Sequence, residues 1–512
     1  MPVDPNHRPH QATESAASAE DQRAGLAYWS ARVLEEVDKA SHDFAPDPVH
    51  DLRVAIRRCR SMADGFLSID PEPAWRQMKR LGKGLFARLG DLRDTQVMME
   101  WVEKLSEKGD PLRQILLDSL RKKEEDLKLI AKDAVNNFDR KRWVALNDML
   151  AERAARVPLE GSVFQYLALE RWHDAHALHH TALRNRSGVA YHQLRIGIKR
   201  FRYTVENFLP ERHRSWSRDL RDLQDALGEV HDFDVLWGLV KSHPEVGVAE
   251  RQLWQQTIST ERQKRLALYR KRMLGKESLW HQWRAELPAD DELAQAALEK
   301  MRTWASFLDP DDEHSRLVTA LTLEIYDGLV RDGILAESDL SRRILEAAAV
   351  MHDVGRRKDG GHRKRAYRLI RKLPPPMGWS DEYLQYVAIV AHYHRGGLPP
   401  PSHPIFDGIS AHRRAELMPL AGVLRLANAF DEAHDQRIST VELKRRDGAL
   451  TLYAQGLTSS VGPFGEQLAR ARYLLECSIK MPIVIKPLRA RHKLVPHPRE
   501  VAIVSAGQSK SN

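Results

Sequence analysis

The chain is poor in cysteine, in aromatic residues and in long apolar runs. Its 512 residues include two cysteines, Cys59 and Cys477. Two distant thiols cannot make a disulfide scaffold, and such sparse usage suits the cytoplasm. No apolar run approaches the ~20 residues of a membrane helix, so no membrane partner is expected. The start, Met1-Pro2-Val3-Asp4-Pro5-Asn6-His7, is polar and lacks the apolar core of a signal peptide. Aromatic residues make up 7%. Charge is abundant, with 80 Lys and Arg against 71 Asp and Glu, a net +9. That balance favours an anionic partner, but the excess is small and local pattern carries more weight.

One basic motif occurs twice. His50-Asp51-Leu52-Arg53-Val54-Ala55-Ile56-Arg57-Arg58-Cys59-Arg60 returns 142 residues later as His192-Gln193-Leu194-Arg195-Ile196-Gly197-Ile198-Lys199-Arg200-Phe201-Arg202. On a helix, His50, Arg53, Arg57 and Arg60 fall within an arc of roughly 80°. His192, Arg195, Lys199 and Arg202 repeat that face. Cations one turn apart repel, so such a stripe costs stability unless something anionic offsets it. Arg76, Arg80 and Lys83 recur as Arg214, Arg218 and Arg221. Each half then ends similarly, Leu89-Gly90 to Asp94 and Leu227-Gly228 to Asp232, at an offset of 138. Matching segments in the same order point to a duplicated unit. Asp94 and Asp232 are expected to orient the arginines.

These motifs resemble the CHAD domain, an α-helical domain named for its histidine. The likeness spans about 23–287, in two repeats of about 23–155 and 156–287. It implies duplicated helical bundles with a basic channel that binds inorganic polyphosphate. His50, Arg53, Arg57, Arg58, Arg60, Arg76, Arg80, Lys83, His192, Arg195, Lys199, Arg200, Arg202, Arg214, Arg218 and Arg221 are then the binding residues. An association with polyphosphate granules would follow. The physics agrees, because a phosphate chain wants many donors at repeated spacing and offers no base edges to read. Nucleic acid is not the expected partner, since base stacking needs aromatics and the stripes hold few beyond Phe201 and Tyr203.

Most of the chain shows the three-and-four apolar spacing of helices, so the fold is expected to be mainly α. Ile438–Arg445 and Ala449–Gln455, joined across Asp447-Gly448, predict a β-hairpin. Residues 1–22 and 498–512 read as disordered tails. A boundary is expected near Leu287-Pro288-Ala289-Asp290-Asp291.

Beyond it, over 291–490, the chemistry-bearing residues are His314, opening an apolar helix, the pair His352-Asp353, closing another, and Asp431. Imidazole with carboxylate suits Mn²⁺, Fe or Zn²⁺, and carboxylate with water suits Mg²⁺. The stretches at His314–Leu329, Ala347–Gly355, His362–Ile370, Ala391–Arg395 and Leu424–Asp431 resemble the HD domain. More narrowly, they resemble the helical C-terminal domain of the exopolyphosphatase/guanosine pentaphosphate phosphatase family. The resemblance makes His314, His352, Asp353 and Asp431 metal ligands. His362-Arg363-Lys364-Arg365 has arginines where that family often has histidine, which argues against a second metal. The basic repeats stand where an ATPase-like catalytic module normally precedes this domain, so any hydrolysis falls to the HD set. His352 and Asp353 would then hold the metal, His394 would protonate the leaving group, and Lys364, Arg365 and Arg395 would hold phosphate.

Three functions are weighed. The favoured one is a polyphosphate-binding protein whose HD domain senses, regulates or docks. The second is a metal-dependent phosphohydrolase acting on polyphosphate or a phosphorylated nucleotide. The third is a nucleic-acid-binding protein.

Overall fold

Helix starts are written into the sequence as caps. Asp110 accepts from the Leu112 amide, Asp139 from Arg142, Ser187 from Ala190, Asp311 from His314 and Ser380 from Tyr383. Each satisfies an amide that has no partner inside its helix. The computed structural model describes residues 25–309, 311–356, 361–400, 402–446, 448–458 and 462–488. The expected tails at 1–22 and 498–512, and Asp447 of the expected turn, lie outside them.

The chain divides into two compact units, Met1–Pro310 with Pro375–Trp379, and Asp311–Pro374 with Ser380–Asn512. The first holds α1 (Leu26–Ala40), α2 (Pro46–Phe66), α3 (Pro73–Leu105), α4 (Pro111–Asn136) and α5 (Arg140–Ala155). It continues with α6 (Ser162–Asn185), α7 (Gly188–Phe208), α8 (Pro210–Ser242), α9 (Val248–Met273) and α10 (Leu279–Ala285), and ends with α11 (Asp290–Ser306). The duplication is visible in the lengths. α2 and α7 have 21 residues each, α3 and α8 have 33, and α4 and α9 have 26.

In α2 the apolar positions Val49, Leu52, Ile56, Cys59, Ala63 and Phe66 recur at three and four, and all are buried. Leu194, Ile198, Phe201, Val205 and Phe208 do the same in α7. The cations occupy the adjoining face. α2 packs on α7, so the stripes of the two halves are brought together rather than left on opposite sides. A second apolar cluster joins the far ends of α3 and α8, where Trp101 and Phe233 meet at 4.6 Å.

The second unit contains α12 (Asp312–Arg331), α13 (Asp339–Met351), α14 (His362–Ile370), α15 (Asp381–His392), α16 (Ala411–Phe430) and α17 (Pro463–Ile479). A three-stranded sheet completes it: β1 (Thr440–Arg446), β2 (Ala449–Gln455) and β3 (Ile483–Pro487), in the order β1-β2-β3. β1 and β2 form the antiparallel hairpin, with Leu443 opposite Leu452. β3 pairs parallel to β2, with Leu452 opposite Ile485. That third strand was not foreseen, because Ile483-Val484-Ile485 is too short to register without its partner. The architecture is mainly α with a small β element, as expected. Among the described residues no helix is long and apolar enough to cross a membrane.

Candidate functional sites

In the first unit the motif cations stand close together and largely unpaired. Burial, then Arg195 and Arg57, holds the Lys199 ammonium down to about 7. Burial also lowers Arg195, whose field includes Asp232 and Asp94 from both halves. The two stripes therefore share one electrostatic environment. Among the described residues, Arg53, Arg57, Arg60, Arg195, Lys199 and Arg200 form no ion pair, nor do Arg76, Arg80, Lys83, Arg214, Arg218 and Arg221. The Nε atoms of Arg60, Arg195 and Arg202 are buried without a hydrogen-bond partner. Leaving such donors unsatisfied is costly, and an anion would satisfy them.

Aromatic and backbone contacts hold several cations in place. Arg53 donates to the Phe86 carbonyl at 3.0 Å and lies over the Phe86 ring at 4.3 Å, while Arg60 lies over the same ring at 5.0 Å. Arg57 lies over Tyr203 at 5.3 Å. Gly90 lets Arg53 approach: a Cβ there would stand 2.9 Å from its Nη1. Other motif residues are placed differently. Arg58 donates to Asn207 at 3.0 Å and pairs with Glu206, so it ties α2 to α7. Arg202 is 3.6 Å from the same Glu206. His50 is exposed, and His192 faces His231, with ring nitrogens 3.3 Å apart. His231 was not singled out from the sequence. Asp94 and Asp232 make no direct ion pair among the described residues. Asp232 is pushed up to about 6 by burial, against the pull of Arg195.

In the second unit four helix ends converge. His314 stands in the first turn of α12, His352 and Asp353 follow α13, His394 follows α15, and Asp431 caps α16. All five are buried. His352 Nδ1 lies 2.7 Å from the Ala349 carbonyl, and His394 Nδ1 lies 2.6 Å from the Ala391 carbonyl. A carbonyl can only accept, so each Nδ1 carries the proton and each Nε2 is a bare lone pair. His314 Nδ1 is 2.8 Å from Asp431 Oδ2, which favours the same tautomer, and its Nε2 also stands 3.3 Å from the Asn428 side-chain amide. Those Nε2 atoms point inward. His314 and His352 stand 3.4 Å apart there, and Asp353 lies 3.6 Å from His394, 3.8 Å from His352 and 4.0 Å from His314.

Lone pairs facing one another repel unless a proton or a metal ion lies between them. Protonation is opposed, since burial lowers His314 and takes His394 well below the ordinary histidine range. Burial works against the Asp353 carboxylate, but the positive charge its neighbours offer, from His352 and His394 when protonated and from Arg395, outweighs it and holds the carboxyl well below its usual value. Among the described residues, Asp353 Oδ1 and the Nε2 atoms of His394 and His362 are buried without a hydrogen-bond partner. The residues fit a cation, in three overlapping sets: His314, His352 and Asp353; His314, Asp431 and His434; and Asp353, His362 and His394.

His434 was missed by sequence reasoning. It accompanies Asp431 at a spacing of three, and it stands 2.7 Å from Asp311 and 2.8 Å from Arg356. His394 was expected as a proton donor, yet its Nδ1 proton is committed and its Nε2 is bare. Of the expected phosphate holders, Arg365 donates to the Gly355 carbonyl at 3.0 Å and Arg395 stands 3.5 Å from Glu432. A cavity of about 590 Å³ opens beside His394, bordered by Arg395, Asn428, Gln467 and Arg470. Gly396, at φ +99°, lets the Arg363 guanidinium approach its wall.

Both resemblances drawn from the sequence are met. Residues 17–241 match the CHAD domain family, and residues 295–455 match Ppx/GppA phosphatase, domain III. A solved structure, the CHAD domain from the plant Ricinus communis, is 20% identical over 51% of this chain and 88% of its own, with a TM-score of 0.36. No curated protein matches the chain.

Proposed function

We propose that the first unit binds inorganic polyphosphate along the facing stripes of α2 and α7. The observation that carries this reading is the set of clustered cations without carboxylate partners. Ion pairs elsewhere in the chain are plentiful, so acids are available, yet among the described residues Arg53, Arg57, Arg60, Arg195, Lys199 and Arg200 have none. A flexible chain of phosphates supplies one anionic group per unit and can follow the stripe, with Arg holding two oxygens at a time and Lys acting as a point charge. Binding of labelled long-chain polyphosphate, competed by DNA or RNA at matched salt, tests this. Equal displacement by nucleic acid would overturn it.

The converging imidazole nitrogens favour a second role, in which the second unit is a metal-dependent phosphohydrolase centre. His314, His352 and Asp353 would hold the ion, with His394 and His362 on the far side of Asp353 and Asp431 fixing the His314 tautomer. A divalent ion there supplies phosphoryl polarisation and a bound water of lowered pKa. Arg395 and Arg470, beside the cavity, would bind substrate phosphate, and Asn428 would orient it. Phosphate release from polyphosphate with Mn²⁺ or Mg²⁺, beside an Asp353→Ala variant, separates catalysis from sensing. Binding without release would leave the centre a sensing or regulatory one.

A further inference from the structure

Arg58 and Arg200 hold the same position in the two halves of the first unit. Arg58 is fully committed, to Asn207, to Glu206 and to the Trp29 ring at 4.9 Å. Asp64 and Gly65 are the counterparts of Glu206 and Asn207. Asp64 is already engaged by Lys79 and Arg171. Gly65 has no side chain to accept a bond, and none would fit, because a Cβ there would stand 2.5 Å from Phe208 Cε2. Arg200 is therefore exposed and, among the described residues, outside any ion pair.

Where one half has this lock, the other has a cavity of about 210 Å³. Arg57, Arg60, Lys79, Arg171 and Arg200 border it, with Asp64 as the one carboxylate. Tyr203 also lines it, is 7% exposed, and has a hydroxyl without a hydrogen-bond partner. Arg57 and Arg60 belong to the stripe, so the cavity is continuous with the proposed polyphosphate path.

We infer that this cavity seats the terminal phosphoryl group of a polyphosphate chain, an inference that rests on the polyphosphate reading of the first unit. Like a phosphomonoester, a chain terminus has three free oxygens and about −1.5 to −2 charge at pH 7, against about one charge for an interior phosphate. The densest anionic group belongs where five cations border a small volume. The cavity is below the roughly 300–1,000 Å³ usual for small-molecule sites, which suits one phosphoryl group. Tyr203 donates to one of its oxygens. The lock at Arg58 closes the symmetry-related position, so one end of the chain is held and the other is not.

Chains with free termini, compared with the same chains capped at both ends as alkyl phosphoramidates, test this on the full-length protein. Free-ended chains should bind about tenfold more tightly, the difference that a charge-assisted contact supplies. Tyr203→Phe should bring free-ended chains to the capped level and leave capped chains unchanged, and Arg200→Gln should weaken free-ended chains more than capped ones. Equal binding of both chains to the wild type overturns the inference while leaving the polyphosphate reading standing. Inorganic phosphate that abolishes the difference at micromolar concentration would overturn it too, by assigning the cavity to the free ion. Binding of neither chain would sink both readings.

Discussion

Phe66 and Phe208 are counterparts in the duplication, and their rings meet edge to face at 5.5 Å. Each closes its basic helix, and each packs on the other rather than on its own half alone. Phe208 also stacks on Phe164 at 4.3 Å and crowds Gly65. The contact fixes the ends of α2 and α7 against one another, and with them the spacing of the two cationic stripes.

Phe208→Ala should therefore cost more than a cavity. Removing a buried Phe costs about 3–5 kcal/mol, and Phe208 is 2% exposed. The expected result is a fall of that size in denaturant-derived stability, together with weaker polyphosphate binding under conditions where the variant is still folded. A stability loss with unchanged binding would separate the aromatic contact from the stripes.

Polyphosphate affinity should fall linearly on a log–log plot against salt, by analogy with nucleic-acid backbones. Each lost phosphate contact removes about 0.7–0.9 from the slope. Arg57→Ala with Arg195→Ala removes one unpaired cation from each half, so the slope should become shallower by about 1.4–1.8. Arg58→Ala should leave the slope unchanged and lower stability instead, because Arg58 is bound to Glu206 and Asn207. A titration series at several salt concentrations reads both.

The repeat, the helices and the hairpin were legible because each rests on local spacing. The facing of the stripes was not local; it depends on which apolar faces pack, and the likeness of the halves only suggested it. Arg58 looked like its neighbours in sequence, since nothing local indicates that Glu206, 148 residues away, would claim it. His434 and His231 escaped notice for the same reason, each gaining meaning from a residue on another helix. β3 needed β2 to complete its hydrogen bonds. Gly90 was visible as a motif, but its role emerged only once Arg53 was seen lying against it.

Binding should also be linked to protons. In the free protein Lys199 sits near 7, so above that pH it is increasingly neutral. A bound polyanion favours the charged ammonium and raises its pKa, so binding takes up a proton between the free and bound values. Affinity should fall as pH rises through 7, by up to about tenfold per unit. Asp232, near 6 when free, acts in the same direction, because a polyanion favours its neutral form. Calorimetry in buffers of different ionisation enthalpy should report net proton uptake at pH 7.5. Lys199→Arg should abolish it there and preserve the Asp232 step near 6.

The metal centre makes a graded prediction. Asp353 is the carboxylate shared by His314, His352 and His394, whereas Asp431 accepts the Nδ1 proton of His314. Losing a residue that only orients a ligand costs about 10–100-fold in metal affinity. Asp431→Asn should therefore weaken Mn²⁺ or Zn²⁺ binding by about that factor, and Asp353→Asn should weaken it further. Both replacements keep the side-chain shape, and Asp353→Asn also removes a buried charge, so circular dichroism and thermal melts of the apo variants should stay near wild type. Elemental analysis after chelation and reloading gives the stoichiometry, and competitive titration gives the affinities. The reverse order, with Asp431→Asn the more damaging, would move the ion to the neighbouring set of His314, Asp431 and His434.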